Sequence, residues 1–266
     1  MSTEKMFVPQ SPGEALDLME QYGYELLVVA GGTTAMPAVN QGLTWPRFAM
    51  TLHRAGLDGV RPVNGHVEIG ATTRLTRVAQ LAELPLLSEA AQNIGGWAVR
   101  NMATLAGNLF VPPPAGDAAT ALLALDAQVI AANKTGERCI PLDEFYTGLL
   151  QTVLAKNELV TRIDVPRARG ETRFVKLGRR RANTPAVVTV AVQVVRDERG
   201  ICTDARLALG AVHDHPFRAK EAESALVGRP LKPAVIAEAA ELAKEECKPF
   251  SDALASDWYR RRMVGV

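Results

Sequence analysis

Apolar positions first fall at helical spacing between Ala15 and Met19, where Ala15, Leu16, Leu18 and Met19 make one stripe. Ser11-Pro12-Gly13-Glu14 precedes it and reads as a helix start: Ser11 as N-cap, Pro12 at the first helical position, Glu14 closing a capping box. Gly23 marks the end of this helix. Residues 25–30 then form a short Leu/Val strand that runs into Ala30-Gly31-Gly32-Thr33-Thr34. Val67-Glu68-Ile69-Gly70 alternates as a strand after the turn residues Asn64-Gly65. Residues 75–84 and 86–94 carry helical patterns, with Pro85 as the break between them. Residues 117–125 are strong helix formers with an acid at the N-terminal end, where it favours the dipole. Val129-Ile130-Ala131 and Cys139-Ile140-Pro141-Leu142 flank Lys134-Thr135-Gly136-Glu137, which predicts a hairpin.

The texture changes around Pro166-Arg167-Ala168-Arg169-Gly170, which places a domain boundary there and divides the chain into residues 1–166 and 167–266. In the second part, residues 174–177, 186–195 and 201–209 read as strands, and Asp197-Glu198-Arg199-Gly200 is the clearest turn between them. Residues 219–227 and 233–247 read as helices. A β-meander with helices on one face predicts an α+β unit.

Composition narrows the partners. At 266 residues the chain is long enough for two domains, and 47% hydrophobic with 22% charged residues is ordinary for a globular protein. Thirty basic against 29 acidic side chains leave +1, which calls for neither nucleic acid nor a membrane surface. No run is long enough to span a bilayer, and the first residues lack the basic flank and apolar core of a secretory signal, so a cytoplasmic location is expected. Cys139, Cys202 and Cys247 are single and far apart, without the spacing of a zinc or iron–sulfur site. His213-Asp214-His215 offers an x-spaced histidine pair without an evident third ligand and reads as a loop. Arg179, Arg180 and Arg181 read as alternating faces of a strand.

The chemistry is concentrated in two short segments, Ala30-Gly31-Gly32-Thr33-Thr34 and Thr104-Leu105-Ala106-Gly107-Asn108, followed by Pro114-Ala115-Gly116-Asp117. Glycines beside hydroxyls either make tight turns or let backbone N–H groups close on an anion. A pyrophosphate needs several such donors, each charge-assisted bond contributing roughly 1.5–3 kcal/mol. The amides of Gly31, Gly32 and Thr33, with those of Ala106, Gly107 and Asn108, would bracket it from two sides. There is no Gly-x-Gly-x-x-Gly after a first strand, so the pattern is not the Rossmann fingerprint.

These segments resemble the FAD-binding medium subunits of the molybdenum hydroxylases, the xanthine dehydrogenase and carbon monoxide dehydrogenase type. The first corresponds to the family's Ala-Gly-Gly-Thr, the second to its Thr-Ile-Gly-Gly-Asn, with Ala106 in place of the first of the paired glycines. The resemblance implies a two-sub-domain FAD-binding domain followed by a smaller α+β domain. It implies FAD contacts from Val28, Val29, Ala30, Gly31, Gly32, Thr33, Thr34 and Ala35, and from Thr104, Leu105, Ala106, Gly107 and Asn108. It further puts Asp117 on the ribose hydroxyls, although Asp117 also reads as a cap of the following helix. Val160, within Glu158-Leu159-Val160, would line the flavin. Phe174-Val175-Lys176-Leu177-Gly178-Arg179-Arg180 resembles the family's aromatic-x-Lys strand and brings Lys176 to the isoalloxazine, while Asn183-Thr184 stands where members often carry an aspartate. No catalytic acid, base or nucleophile and no metal ligand on this chain is implied. The partners implied are a small subunit with [2Fe–2S] clusters, a large molybdopterin subunit and an acceptor such as NAD⁺. Two other functions fit the same residues: a free-standing FAD oxidoreductase, and an assembly protein that kept the fold and lost the flavin.

Overall fold

The structure, a computed structural model, describes residues 3–266. The chain opens with β1 (Lys5–Phe7), α1 (Pro12–Tyr22), β2 (Leu26–Val29), α2 (Ala35–Asn40) and β3 (Phe48–Thr51). These strands form a parallel sheet in the order β1-β3-β2, with α1 turning its apolar stripe into a small core around Met50. Ser11 caps α1 by accepting from the Glu14 amide, as expected, but the Glu14 carboxylate takes the Gln10 amide at 2.8 Å instead of the Ser11 amide. The capping box is therefore shifted by one residue.

Next come β4 (Val60–Val63), β5 (His66–Gly70), α3 (Leu75–Val78), α4 (Pro85–Gln92), α5 (Trp97–Arg100), α6 (Leu105–Leu109) and α7 (Asp117–Ala124). They are followed by β6 (Gln128–Asn133), β7 (Gly136–Pro141), β8 (Tyr146–Gly148), β9 (Gln151–Thr152) and β10 (Leu159–Pro166). β4, β5, β10, β6 and β7 make one antiparallel sheet in that order. The helix read over 75–84 stops at Val78. The Ala79 carbonyl that would carry it on instead accepts from Ser88 Oγ at 2.7 Å and Gln92 Nε2 at 2.9 Å.

The third part holds β11 (Glu171–Gly178), β12 (Ala186–Arg196), β13 (Cys202–Gly210), β14 (Phe217–Arg218), α8 (Lys220–Leu226), α9 (Pro233–Glu246) and α10 (Asp257–Val264). Its four strands form an antiparallel meander, packed by α8 and α9 around Leu209 and Val212. The architecture is α+β throughout. Arg179, Arg180 and Arg181 are not on a strand. β11 ends at Gly178, and the Arg180 guanidinium then donates to the Asn183 carbonyl across a loop in which Asn183 sits at φ 49°.

Helix α7 ties the halves together. It is buried at every residue because α4 and α6 cover it from its own side while β12 and β13 cover it from the other. Thr120 and Thr189 share a buried hydroxyl contact of 3.1 Å there. Gly210 leaves room for both: a Cβ at that position would lie 2.4 Å from each hydroxyl. Among the described residues no helix is long and apolar enough to cross a membrane.

Candidate cofactor-binding cleft

The two glycine segments meet along one wall of a cleft of about 780 Å³, a size that suits a cofactor. Strand β2 delivers residues 30–35 to this wall, and α6 delivers residues 104–109. A Cβ on Gly31 would stand 2.0 Å from the Met102 carbonyl oxygen, so only glycine lets the first loop lie against the chain leading into α6. Gly32 has φ +71°, the left-handed region that glycine enters without strain. Each glycine thus has a structural duty that fixes the path of the loop along the cleft wall.

The two segments then differ. In the first, the amides of Gly31, Gly32, Thr33, Thr34 and Ala35 donate to no acceptor among the described residues. The segment is an unpaired row of N–H groups, the arrangement that binds anions. In the second, the expected amide donors are already committed. Ala106 N–H donates to the Ala71 carbonyl at 3.1 Å, Gly107 N–H to Thr104 Oγ1 at 3.3 Å, and Asn108 N–H to the Thr104 carbonyl at 3.0 Å. Thr104 is the N-cap of α6, so its side chain consumes a donor that the sequence reading gave to the ligand. The bracket from two sides is corrected to amides from one side only. What the second segment offers is Asn108: its Oδ1 accepts from the Ala118 amide at 3.0 Å, leaving the carboxamide N–H groups for the cleft that Asn108 lines.

Val28, residues 30–35, Thr104, Ala106, Gly107, Asn108 and Val160 all line the cleft. Val29 and Leu105 do not. Val29 is buried at the end of β2, and Leu105 is fully buried in the main core.

Asp117 and Lys176 also lie outside the lining. They bind each other, Lys176 Nζ standing 2.6 Å from Asp117 Oδ2 and 2.9 Å from the Asn93 carbonyl. Both side chains are buried. Burial pushes the Asp117 carboxyl above its ordinary value, and the Lys176 ammonium offsets only part of that. Lys176 also borders a smaller cavity of about 380 Å³ with Arg180, Arg181 and Asn183. The two residues read as separate cofactor contacts are, in this structure, one ion pair joining α7 to β11.

Residues 2–168 match the family model of the FAD binding domain in molybdopterin dehydrogenase, and residues 173–266 that of the CO dehydrogenase flavoprotein C-terminal domain. This chain belongs to the FAD-binding medium subunits of the molybdenum hydroxylases. It is 34% identical to the glyceraldehyde dehydrogenase medium chain of Sulfolobus acidocaldarius, over 90% of this chain and 86% of that one. It is 30% identical to the carbon monoxide dehydrogenase medium chain of Hydrogenophaga pseudoflava, over 97% and 91% respectively. The solved structure of carbon monoxide dehydrogenase from the latter organism superposes with a TM-score of 0.93, covering 98% of this chain and 93% of that one at 30% identity. Quinoline 2-oxidoreductase from Pseudomonas putida superposes with a TM-score of 0.91 at 26% identity, covering 98% and 92%.

The residues of this FAD-binding subunit fit the cofactor. An open row of amides suits a pyrophosphate, and the apolar walls from β2 and β10 suit aromatic rings. The sequence reading missed several lining groups. Thr72 follows directly on β5, and Thr147, Leu150 and Thr152 come from the β8–β9 hairpin. That hairpin is two short strands with little alternation, so no periodic signal marks it. Lys156 was also missed. Its ammonium has no carboxylate partner among the described residues, and its stem packs 3.6 Å from where a Gly23 Cβ would stand. The cleft's other charged lining group, Glu158, is spoken for. Arg138 grips both of its oxygens, at 2.6 and 2.8 Å, and this holds the carboxyl below its ordinary value.

Proposed function

We propose that this chain is the electron-transfer subunit of a cytoplasmic molybdenum hydroxylase complex. It works beside a small subunit with [2Fe–2S] clusters and a large molybdopterin subunit. The cleft residues would hold FAD, which would supply the electron transfer from the clusters to an acceptor such as NAD⁺. The observation that carries the reading is the cleft itself: among the described residues, five that line it, 31–35, have backbone amides with no acceptor, and the lining holds neither histidine nor cysteine. Such a lining binds and orients a cofactor, and leaves the redox chemistry to it.

The amides of residues 31–35 would hold the pyrophosphate, with Asn108 from α6 and Lys156 adding N–H donors and a positive charge. Val28 and Val160 would exclude water along the apolar wall. Two measurements test the proposal. Acid release of chromophore from the purified chain should give one FAD, and a colourless chain that takes up no added FAD would leave a scaffold in its place. In the assembled complex, reduced anaerobically by its substrate, NAD⁺ should restore the oxidised flavin spectrum. A complex reoxidised by oxygen or a quinone but not by NAD⁺ would remove NAD⁺ from the reading.

A further inference from the structure

The loop between β13 and β14 carries His213-Asp214-His215, the histidine pair that lacks an evident third ligand in sequence. The structure supplies it. Nδ1 of both imidazoles faces the same carboxylate oxygen, Asp214 Oδ1, and the three atoms all lie within 4.8 Å of one another. His213 makes a hydrogen bond to that oxygen. His215 Nδ1 lies 2.6 Å from the same oxygen as an ion-pair contact, and this nitrogen is itself buried. A buried imidazole nitrogen normally has a partner. Here its partner is the carboxylate oxygen that His213 also binds, so two imidazole nitrogens and a carboxylate converge on one point, as the donors of a cation site do.

We propose that His213, Asp214 and His215 bind one divalent transition-metal ion, zinc by the chemistry of the donors, with solvent completing the coordination. Two imidazoles and a carboxylate form a set that zinc accepts at about 2.0–2.2 Å per ligand, which separates tetrahedral donors by roughly 3.3 Å. Hard cations that prefer all-oxygen shells fit it poorly.

The loop is held before any ion arrives. Ala211, at φ +66°, has its carbonyl fixed by Arg260 Nη1 at 3.0 Å, and on the far side Phe217 pairs in register with Leu209. The His213 ring packs edge-on to His215 at 4.9 Å between centroids, and Phe217 lies 5.2 Å from it. The His215 ring stacks on Tyr146 at 5.8 Å and 23°. Tyr146 belongs to the FAD-binding part, and its hydroxyl donates to the Leu109 carbonyl at the end of α6. An ion at 213–215 would therefore clip the C-terminal part onto the aromatic ring that anchors the cleft's second wall segment. Its role is structural, and it lies apart from the cleft.

The test uses the full chain, stripped of metal by dialysis against a chelator, and Zn²⁺ titrated against a chromophoric zinc chelator. One tight equivalent is expected. The H213N and H215N substitutions each keep a small polar side chain and remove the imidazole. They should weaken zinc by more than the roughly 10–100-fold that loss of an outer-shell partner costs, with unchanged circular dichroism and FAD content. Zinc-edge X-ray absorption on the unsubstituted chain needs no variant to fold: nitrogen and oxygen scatterers without sulfur support the site. Sulfur in the shell would move the ion to a cysteine, and absence of stoichiometric zinc, or equal affinity in the H213N/H215N double variant, would each overturn the proposal.

Discussion

Breaking the Asp117–Lys176 pair at one end should cost far more than removing it whole. The two charges stand 2.6 Å apart with side chains only 5% and 8% exposed. At an effective dielectric of 20 their attraction is about 6 kcal/mol, and burying the two ions costs several kcal/mol each, so the net value of the intact pair is small. Asp117→Asn leaves a buried ammonium with only the Asn93 carbonyl, and Lys176→Met leaves a buried carboxylate without its counter-charge. Each should lower stability by about 3–5 kcal/mol, while the double variant should return to within about 1–2 kcal/mol of the parent. Urea unfolding of the FAD-free chain measures all four corners of this cycle. Asp117 also sets a pH signature. Its folded value is raised above the reference 3.8, so its contribution is fully present below that pH and declines as pH rises through the raised value. The Asn variants should lack this component. Additive single losses would refute the reasoning, because two groups that do not sense each other cannot form the pair described. FAD affinities of the same four proteins then address the family expectation: a stable double variant that binds FAD as tightly as the parent would remove both residues from the cofactor site.

Gly31→Ala puts a methyl 2.0 Å from the Met102 carbonyl, a backbone clash beyond the 1–3 kcal/mol of ordinary overpacking; calorimetry should show a marked fall in Tm together with loss of bound flavin. Gly107→Val puts its Cβ 2.7 Å from Thr104 Oγ1, displacing the cap of α6, and should abolish FAD retention in gel filtration of a folded chain. Arg260→Met removes a fully buried guanidinium that holds the carbonyls of Ala186, Val187 and Ala211 and both oxygens of Asp252. It should cost about 3–5 kcal/mol in urea unfolding. The hydrogen bond from Arg138 lowers the Glu158 carboxyl below its reference 4.5, so the stability it adds is present above 4.5 and is lost as pH falls through the lowered value. Arg138→Gln should flatten that acid limb of a pH–Tm profile, and an unchanged limb would assign it elsewhere.

Much of the fold is legible because it is written locally. Ser11 and Pro12 start α1 where the stripe at Ala15 to Met19 predicts it, and the β6–β7 hairpin closes on Asn133 and Gly136 around the predicted turn. What escapes the sequence is decided by partners far along the chain. The helix after Leu75 fails because Ser88 and Gln92, nine and thirteen residues on from Ala79, take its carbonyl. The arginines after Gly178 leave the strand because Asn183 turns the backbone and Arg180 binds it there. β1 and β3 are each too short to show a period, and exist only because they pair with each other and with β2.

The site divides in the same way. Residue type alone marks both glycine segments, since glycines beside hydroxyls are rare outside turns and anion cradles. Which of those two meanings applies depends on where each N–H goes, and that is a long-range fact. In residues 31–35 the amides are left open because Gly31 admits the Met102 carbonyl and so fixes the loop against a neighbour without using its own donors. In residues 106–108 the equivalent amides are taken by Ala71 and Thr104, so the same composition yields a capped helix and a single polar side chain, Asn108, at the cleft. The pattern therefore has an asymmetric consequence for binding: a substitution in the first segment acts on ligand donors directly, whereas one in the second acts through the position of α6.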